Sequence, residues 1–146
     1  MVSMRKICVV VGSRANYSSI KSALIAIKEH PDLKLQIVAT TSAVLDRYGA
    51  VANLIKADGF TIDASVYNVV EGENPATMAK TTGLALLELP TIFQNLQPDF
   101  VLTIGDRYET MATTLAAAYM NIAVAHTMGG EVSGTIDESI RHATTK

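Results

Sequence analysis

Residues 6–12 read KICVVVG: apolar at every position from Ile7 to Val11, rich in valine, and ended by glycine. A strand on a two-sided sheet alternates apolar and polar side chains. A strand apolar at each position is buried on both faces, which requires helices above and below and so a parallel sheet. The rest of the chain fits that requirement. Residues 15–30 place Tyr17, Ile20, Leu24 and Ile27 at helical spacing, and Pro31 ends the run. Residues 33–41 (LKLQIVATT) give a second strand. Residues 42–58 read as a helix weakened by Gly49, with Gly59 just past its end. Residues 60–67 make a third, poorer strand. A polar, glycine-bearing loop over 68–73 precedes Asn74-Pro75, a helix cap followed by proline at the first helical position. The helix to Gln97 contains Gly83 and Pro90, and the proline predicts a kink or a division. Strand 99–105, helix 106–121, strand 122–126 and a helix from Thr135 complete the pattern. Strand and helix alternate throughout, which is the signature of a doubly wound α/β domain with right-handed crossovers.

The length of 146 residues suits a single domain with a full core, and neither a linker nor an internal repeat interrupts it. Hydrophobic residues make up 49% and charged ones 18%, so the chain is globular. A net charge of −2 lends no support to a nucleic-acid or membrane-surface partner. Cys8 is the only cysteine, so no internal disulfide forms, and a cytoplasmic setting is expected. Residues 1–6 lack the apolar core of a signal peptide, and no run is long enough for a membrane helix. The sequence stops at Thr144-Thr145-Lys146 within a helical pattern and without a cap, which predicts the front part of a longer protein.

With strand order 3-2-1-4-5, the crevice of such a sheet lies between strands one and four, outside their carboxyl ends. Strand one ends at Gly12-Ser13-Arg14, strand four at Gly105-Asp106-Arg107, and strand five at His126. The first turn opens a helix beside an arginine, which suits an anion or else a plain turn with a solvated arginine; Ser18 lies one turn on. Neither a dinucleotide fingerprint nor a P-loop is present. Asp106 and Glu109 have the spacing of a capping box, and so do Thr135 and Glu138. The Gly129-Gly130 pair permits positive φ and close approach of the backbone. Asp137 and Arg141 stand four apart, the spacing of a helical ion pair, with His142 one step round. Asp106, Glu131 and Asp137 are three carboxylates near one sheet edge; crowding of that kind separates pKa values and suits acid and base roles. The histidines at 126 and 142 lack a metal-ligand spacing, so no metal is expected.

Gly105-Asp106-Arg107, His126-x-x-Gly129-Gly130-Glu131 and residues 134–143 (GTIDESIRHA), with residues 13–18 (SRANYS) near the start, resemble the hydrolysing UDP-N-acetylglucosamine 2-epimerases over essentially the whole chain. The resemblance implies two Rossmann-like halves arranged as in two-domain glycosyltransferases of the B type. This chain would be most of the amino-terminal half, the carboxyl-terminal nucleotide-binding domain lying outside it. It also implies conversion of UDP-N-acetylglucosamine to N-acetylmannosamine and UDP, by elimination to a glycal and hydration, for sialic-acid or related surface-sugar synthesis. No cofactor is implied, and the full-length protein is expected to be a homo-oligomer, dimer or tetramer. By position, Asp106, Glu131 and Asp137 would serve acid and base roles, with His142 in the catalytic group; Arg14, Ser18, Arg107 and Arg141 would hold the nucleotide-sugar. Met128 departs from the glutamate of many members, and Asn16 from their aspartate. Related readings are an epimerase acting on a GDP- or diacetamido-sugar, a glycosyltransferase of similar fold, and a non-catalytic nucleotide-sugar-binding module.

Overall fold

The computed structural model describes residues 3–146; Met1 and Val2, part of the stretch read for a leader, lie outside the described residues. Five parallel strands, β1 (Arg5–Val11), β2 (Leu33–Thr40), β3 (Ala64–Val66), β4 (Phe100–Ile104) and β5 (Ala123–Thr127), form one sheet in the order β3-β2-β1-β4-β5. β1 is central, pairing in register with β2 from Arg5 opposite Leu33 and with β4 from Ile7 opposite Phe100. Its uniformly apolar run serves two cores, because successive side chains in a strand face opposite ways. Val9 and Val11 join Ile37, Ala39, Leu24 and Ile55 under α1 (Arg14–Glu29) and α2 (Val51–Ala57). Cys8 and Val10 join Val38, Leu89, Phe93, Ala112 and Ala116 under α3 (Pro75–Leu96) and α4 (Tyr108–Tyr119). The expected doubly wound architecture and strand order are both present. The last helix, α5 (Ile136–Thr145), follows β5 and packs on α4.

Two local expectations are corrected, and of the two outcomes expected at Pro90 one is excluded. The helix read over 42–58 is two 3₁₀ turns, Thr41–Val44 and Asp46–Tyr48, followed by the short α2. Thr41, Gly49 and Ala50 take φ of 54°, 89° and 47°, and each left-handed residue breaks an α-helical run. The third strand shrinks to three residues. Before it, the Asp63 carboxylate accepts the Ile37 N–H at 2.8 Å while the Asp63 N–H donates to the Ile37 carbonyl at 2.8 Å, so a side chain takes over part of the ladder. Pro90 does not divide α3, which runs as one helix of 22 residues. Thr81, Ala85, Leu89 and Phe93 recur at every fourth position and are all buried, so packing on both sides of Pro90 outweighs its missing hydrogen bond. The start of that helix matches expectation: Asn74 accepts the Thr77 N–H at 3.1 Å, and Thr77 Oγ1 accepts the Asn74 N–H at 3.1 Å. No helix among the described residues is long and apolar enough to cross a membrane.

Candidate active site

The carboxyl ends of β1, β2, β4 and β5 meet at one edge, and each loop there is held by its own hydrogen bonds. At the end of β1, Ser13 caps α1 by accepting the Asn16 N–H at 3.2 Å. Asn16 Oδ1 accepts the Gly12 N–H at 3.1 Å, while the Ser42 hydroxyl and the Ala43 N–H both donate to the Gly12 carbonyl. The Gly12 peptide is therefore satisfied within the protein and is not offered to an anion. Arg14 and Ser18 are exposed on α1. At the end of β2, Thr41 is a buried β-branched residue with φ of 54°, a conformation that costs energy and persists only when its surroundings enforce it. Asn68 supplies that enforcement, accepting the Thr41 N–H at 2.8 Å and donating to the Thr81 carbonyl at 3.2 Å.

At the end of β4, Gly105 takes φ of 78° and turns the chain, and α4 begins only at Tyr108 with Arg107 in the cap position. Asp106 is thus outside the helix and is not its cap, contrary to the spacing argument. Its carboxylate accepts from Arg141 Nε at 3.1 Å and also from Nη2. Arg141 is the largest fully buried side chain, with a relative exposure of 1%. Its remaining donors go to the Glu131 carbonyl and, at 3.2 Å, to Ser133 Oγ. The expected pairing of Arg141 with Asp137 is replaced by this cross-link between the β4–α4 turn and the β5–α5 loop. A residue buried and engaged in this way braces the site from behind and does not face open solvent, so the guanidinium expected on substrate is instead used by protein oxygens.

His126 makes a second cross-link, with Nε2 2.6 Å from the Gly105 carbonyl and Nδ1 3.0 Å from Thr145 Oγ1. A carbonyl only accepts, so Nε2 carries a proton toward Gly105, while the Thr145 hydroxyl beside Nδ1 also donates to the Arg141 carbonyl at 3.0 Å. Gly129 explains itself by closeness: a Cβ there would stand 2.7 Å from Thr145 Oγ1 and 2.9 Å from His126 Nδ1. The positive φ expected of the glycine pair belongs to Met128, at 62°, and neither Gly129 nor Gly130 adopts it. Thr135 occupies the cap position of α5 without a side-chain cap bond. Glu138 does the capping from the other side, accepting the N–H groups of Gly134 at 2.6 Å and Ser133 at 3.2 Å, and these bonds hold its carboxyl below the usual range. His142 is half exposed with Nε2 4.0 Å from Glu138 Oε1, so it sits with that capping group.

Between these loops lies a cleft of about 640 Å³ whose wall includes Thr41, Ser42, Tyr48, Met78, Arg107, Tyr108 and Asp137. A hollow of about 360 Å³ adjoins it, sharing Tyr48, Met78 and Tyr108. Of the eight residues singled out from the sequence, Arg107 and Asp137 line the cleft, while Asp106 and Arg141 form the brace behind it. Glu131 is exposed and reaches the brace through its carbonyl. Arg14, Ser18 and His142 are not among the cleft's lining residues. The carboxylate buried at this edge is none of the expected three. Glu109, read as a cap partner, is 5% exposed, and neither of its oxygens has a hydrogen-bond partner. Burial pushes its carboxyl up; Arg107, with Nε 3.4 Å from Oε1, opposes the shift, and Asp137 and Asp106 add to it. Spacing alone conceals this residue, because the same interval also describes a capping box. Among the described residues, no group of three or more His, Cys, Asp or Glu side chains could hold a metal ion.

A family model described as UDP-N-acetylglucosamine 2-epimerase matches residues 25–146. This chain belongs to that family. Among curated members, a UDP-N,N'-diacetylbacillosamine 2-epimerase (hydrolyzing) of Legionella pneumophila is 39% identical over 98% of this chain and 38% of its own length. A UDP-N-acetylglucosamine 2-epimerase of Neisseria meningitidis is 31% identical over 98% of this chain and 37% of its own. A solved UDP-N-acetylglucosamine 2-epimerase superposes with a TM-score of 0.83 at 26% identity, covering 97% of this chain and 39% of that one. The chain thus spans somewhat more than a third of the family members it matches, and the polar sheet edge lies within the shared part.

Proposed function

We propose that the protein to which this chain belongs is a hydrolysing 2-epimerase of a UDP-linked 2-acetamido sugar, with UDP-N-acetylglucosamine as substrate and N-acetylmannosamine and UDP as products. In the first step a base takes the C2 proton, its electrons form the C1–C2 double bond, and the C1–O bond breaks to release UDP. In the second, water adds its oxygen to C1 and C2 is reprotonated from the opposite face. Such a reaction needs a base, an acid and a cation for the departing diphosphate. The observation that carries the reading is one cleft wall holding Arg107 beside Asp137, with Asp106 fixed behind it by the buried Arg141. In this reading Asp106, Glu131 and Asp137 share acid and base roles, Arg107 meets the diphosphate, and Arg14 and Ser18 approach the ligand from α1. Arg141 positions Asp106, and His142 supports α5 through Glu138. A second, nucleotide-binding domain completes the site, and the working protein is a cytoplasmic homo-oligomer serving surface-sugar synthesis without a cofactor.

A second reading takes a UDP-linked diacetamido sugar as substrate, and the 39% identity to the Legionella pneumophila protein favours it. Both are tested by incubating the full-length protein with each nucleotide-sugar and following free UDP together with the released 2-epimeric sugar. Release from only one identifies the substrate. Binding of either without UDP release would leave a sensing module and refute catalysis. Asp137→Asn should abolish turnover while leaving the circular dichroism spectrum unchanged; a near-normal rate would remove Asp137 from the mechanism.

A further inference from the structure

Glu109 is the one buried carboxylate at this edge that the proposed chemistry leaves without a task. Its surroundings are crowded and nearly neutral. A Cβ on Gly12 would lie 2.7 Å from Glu109 Cγ and 3.2 Å from Oε1, so the glycine at the end of β1 makes the space that Glu109 fills. The rest of its small chamber is walled by Asn16, Thr40, Thr103, Thr110 and Thr113. Asn16 Oδ1 is committed to the Gly12 N–H, and the Thr110 hydroxyl to the Ile104 carbonyl. The Thr113 hydroxyl donates to the Glu109 carbonyl and not to its carboxylate. The charged groups that act on Glu109 are Arg107 and Asp106 from the β4–α4 turn and Asp137 from α5, with the Tyr108 phenol beside it on α4. Only Arg107 is a cation, and it is half exposed at the cleft, 3.4 Å away. An unbonded carboxylate in such a place is costly unless that single cation stays near.

We propose that Glu109 is the resting counterion of Arg107: a positioning residue that keeps the guanidinium at the cleft rim while the site is empty and yields it, taking a proton from solvent, when the diphosphate of a nucleotide-sugar arrives. The inference rests on the nucleotide-sugar reading proposed for this cleft. It follows from reciprocity between two anions competing for one cation: if Glu109 ionisation weakens diphosphate binding, diphosphate binding must favour the protonated Glu109 by the same factor. Affinity then falls as pH rises through the titration of Glu109 in the empty site, and Glu109→Gln mimics the protonated form.

The test is UDP binding to the full-length protein and to Glu109→Gln by calorimetry between about pH 5 and 9. The terminal phosphate of UDP titrates alike against both proteins, so the difference between the two profiles reads Glu109. The wild type should lose at least about fivefold more affinity across this range than the variant, the low end of ordinary coupling between sites. Glu109→Asp, which keeps a carboxylate, should restore part of the slope. A second measurement holds even if Glu109→Gln misfolds. Heats in two buffers of different ionisation enthalpy, taken in steps across the same range, should show net proton uptake by the wild type; the UDP phosphate, drawn to a cation, would release protons instead. Superimposable profiles, or no proton uptake anywhere in that range, overturn the inference. Proton-linked UDP binding without turnover of any nucleotide-sugar would sink the epimerase reading and spare this one. Turnover with superimposable profiles would do the reverse, and absence of UDP binding would remove both.

Discussion

Replacing Arg141 by methionine removes the guanidinium but keeps most of the buried stem. Four donor contacts disappear: two to the Asp106 carboxylate, one to the Glu131 carbonyl and one to Ser133 Oγ. Adding about 1.5–3 kcal/mol for each charged hydrogen bond would overshoot, because the buried guanidinium has already lost its own hydration. Losing one partner of a buried pair costs about 3–5 kcal/mol, chiefly through the charge left behind. Asp106 keeps 27% of its side-chain exposure against 1% for Arg141, so water can reach the orphaned carboxylate and the low end applies, about 3 kcal/mol. Urea unfolding measures this as a lower midpoint with an unchanged slope. In a cycle with Asp106→Asn the coupling should be about 2 kcal/mol. Amide exchange should quicken in the loop that carries Glu131 and Ser133 and in the turn that carries Asp106, and stay unchanged in β1, which the guanidinium does not bond. A loss under about 1 kcal/mol, or no coupling to Asp106, would show that the pair does not hold the two loops together.

Gly12→Ala should destabilise the fold by about 1–3 kcal/mol in thermal or urea unfolding, because its Cβ would enter the space of Glu109 Cγ at 2.7 Å and that side chain is buried among threonines. Glu109→Gln should melt higher than the wild type at neutral pH. A carboxyl raised in the folded state contributes fully below its ordinary value of 4.5 and loses that contribution as pH rises toward the folded value, so the advantage should vanish in melts taken below 4.5. Cys8, fully buried in β1, has its thiol pushed up to about 12 by burial. Iodoacetamide at about pH 9 should leave it unlabelled in the native protein and label it once the chain unfolds, read by mass spectrometry.

The sheet was legible in advance because its evidence is local and periodic. An apolar run without alternation, short and β-branched, reads as a two-sided strand, and the recurrence of such runs between helical periods gives a doubly wound sheet, whose usual order is the one found, β3-β2-β1-β4-β5. The Asn74 cap was legible for the same reason, its partner being three residues away. Where an expectation failed, two local patterns competed or the deciding contact was remote. Asp106 had a candidate partner at Glu109, and Arg141 had one at Asp137, each within a turn of helix. In the structure they choose each other across a separation of 35 residues. The stretch 42–58 reads as helix from its own spacing, but a remote bond from Asn68 holds Thr41 left-handed at its threshold, and Gly49 and Ala50 are left-handed within it.

The doubly wound class follows from spacing along the chain and, given the strand order usual for it, so does the edge at which the polar residues gather, while the family follows from the resemblance of the polar motifs. Which carboxylate is buried, which arginine lies inside and which faces the cleft are decided by the tertiary structure. Charge partners are selected by distance and desolvation, and those quantities exist only once β4, β5 and α5 have been brought together.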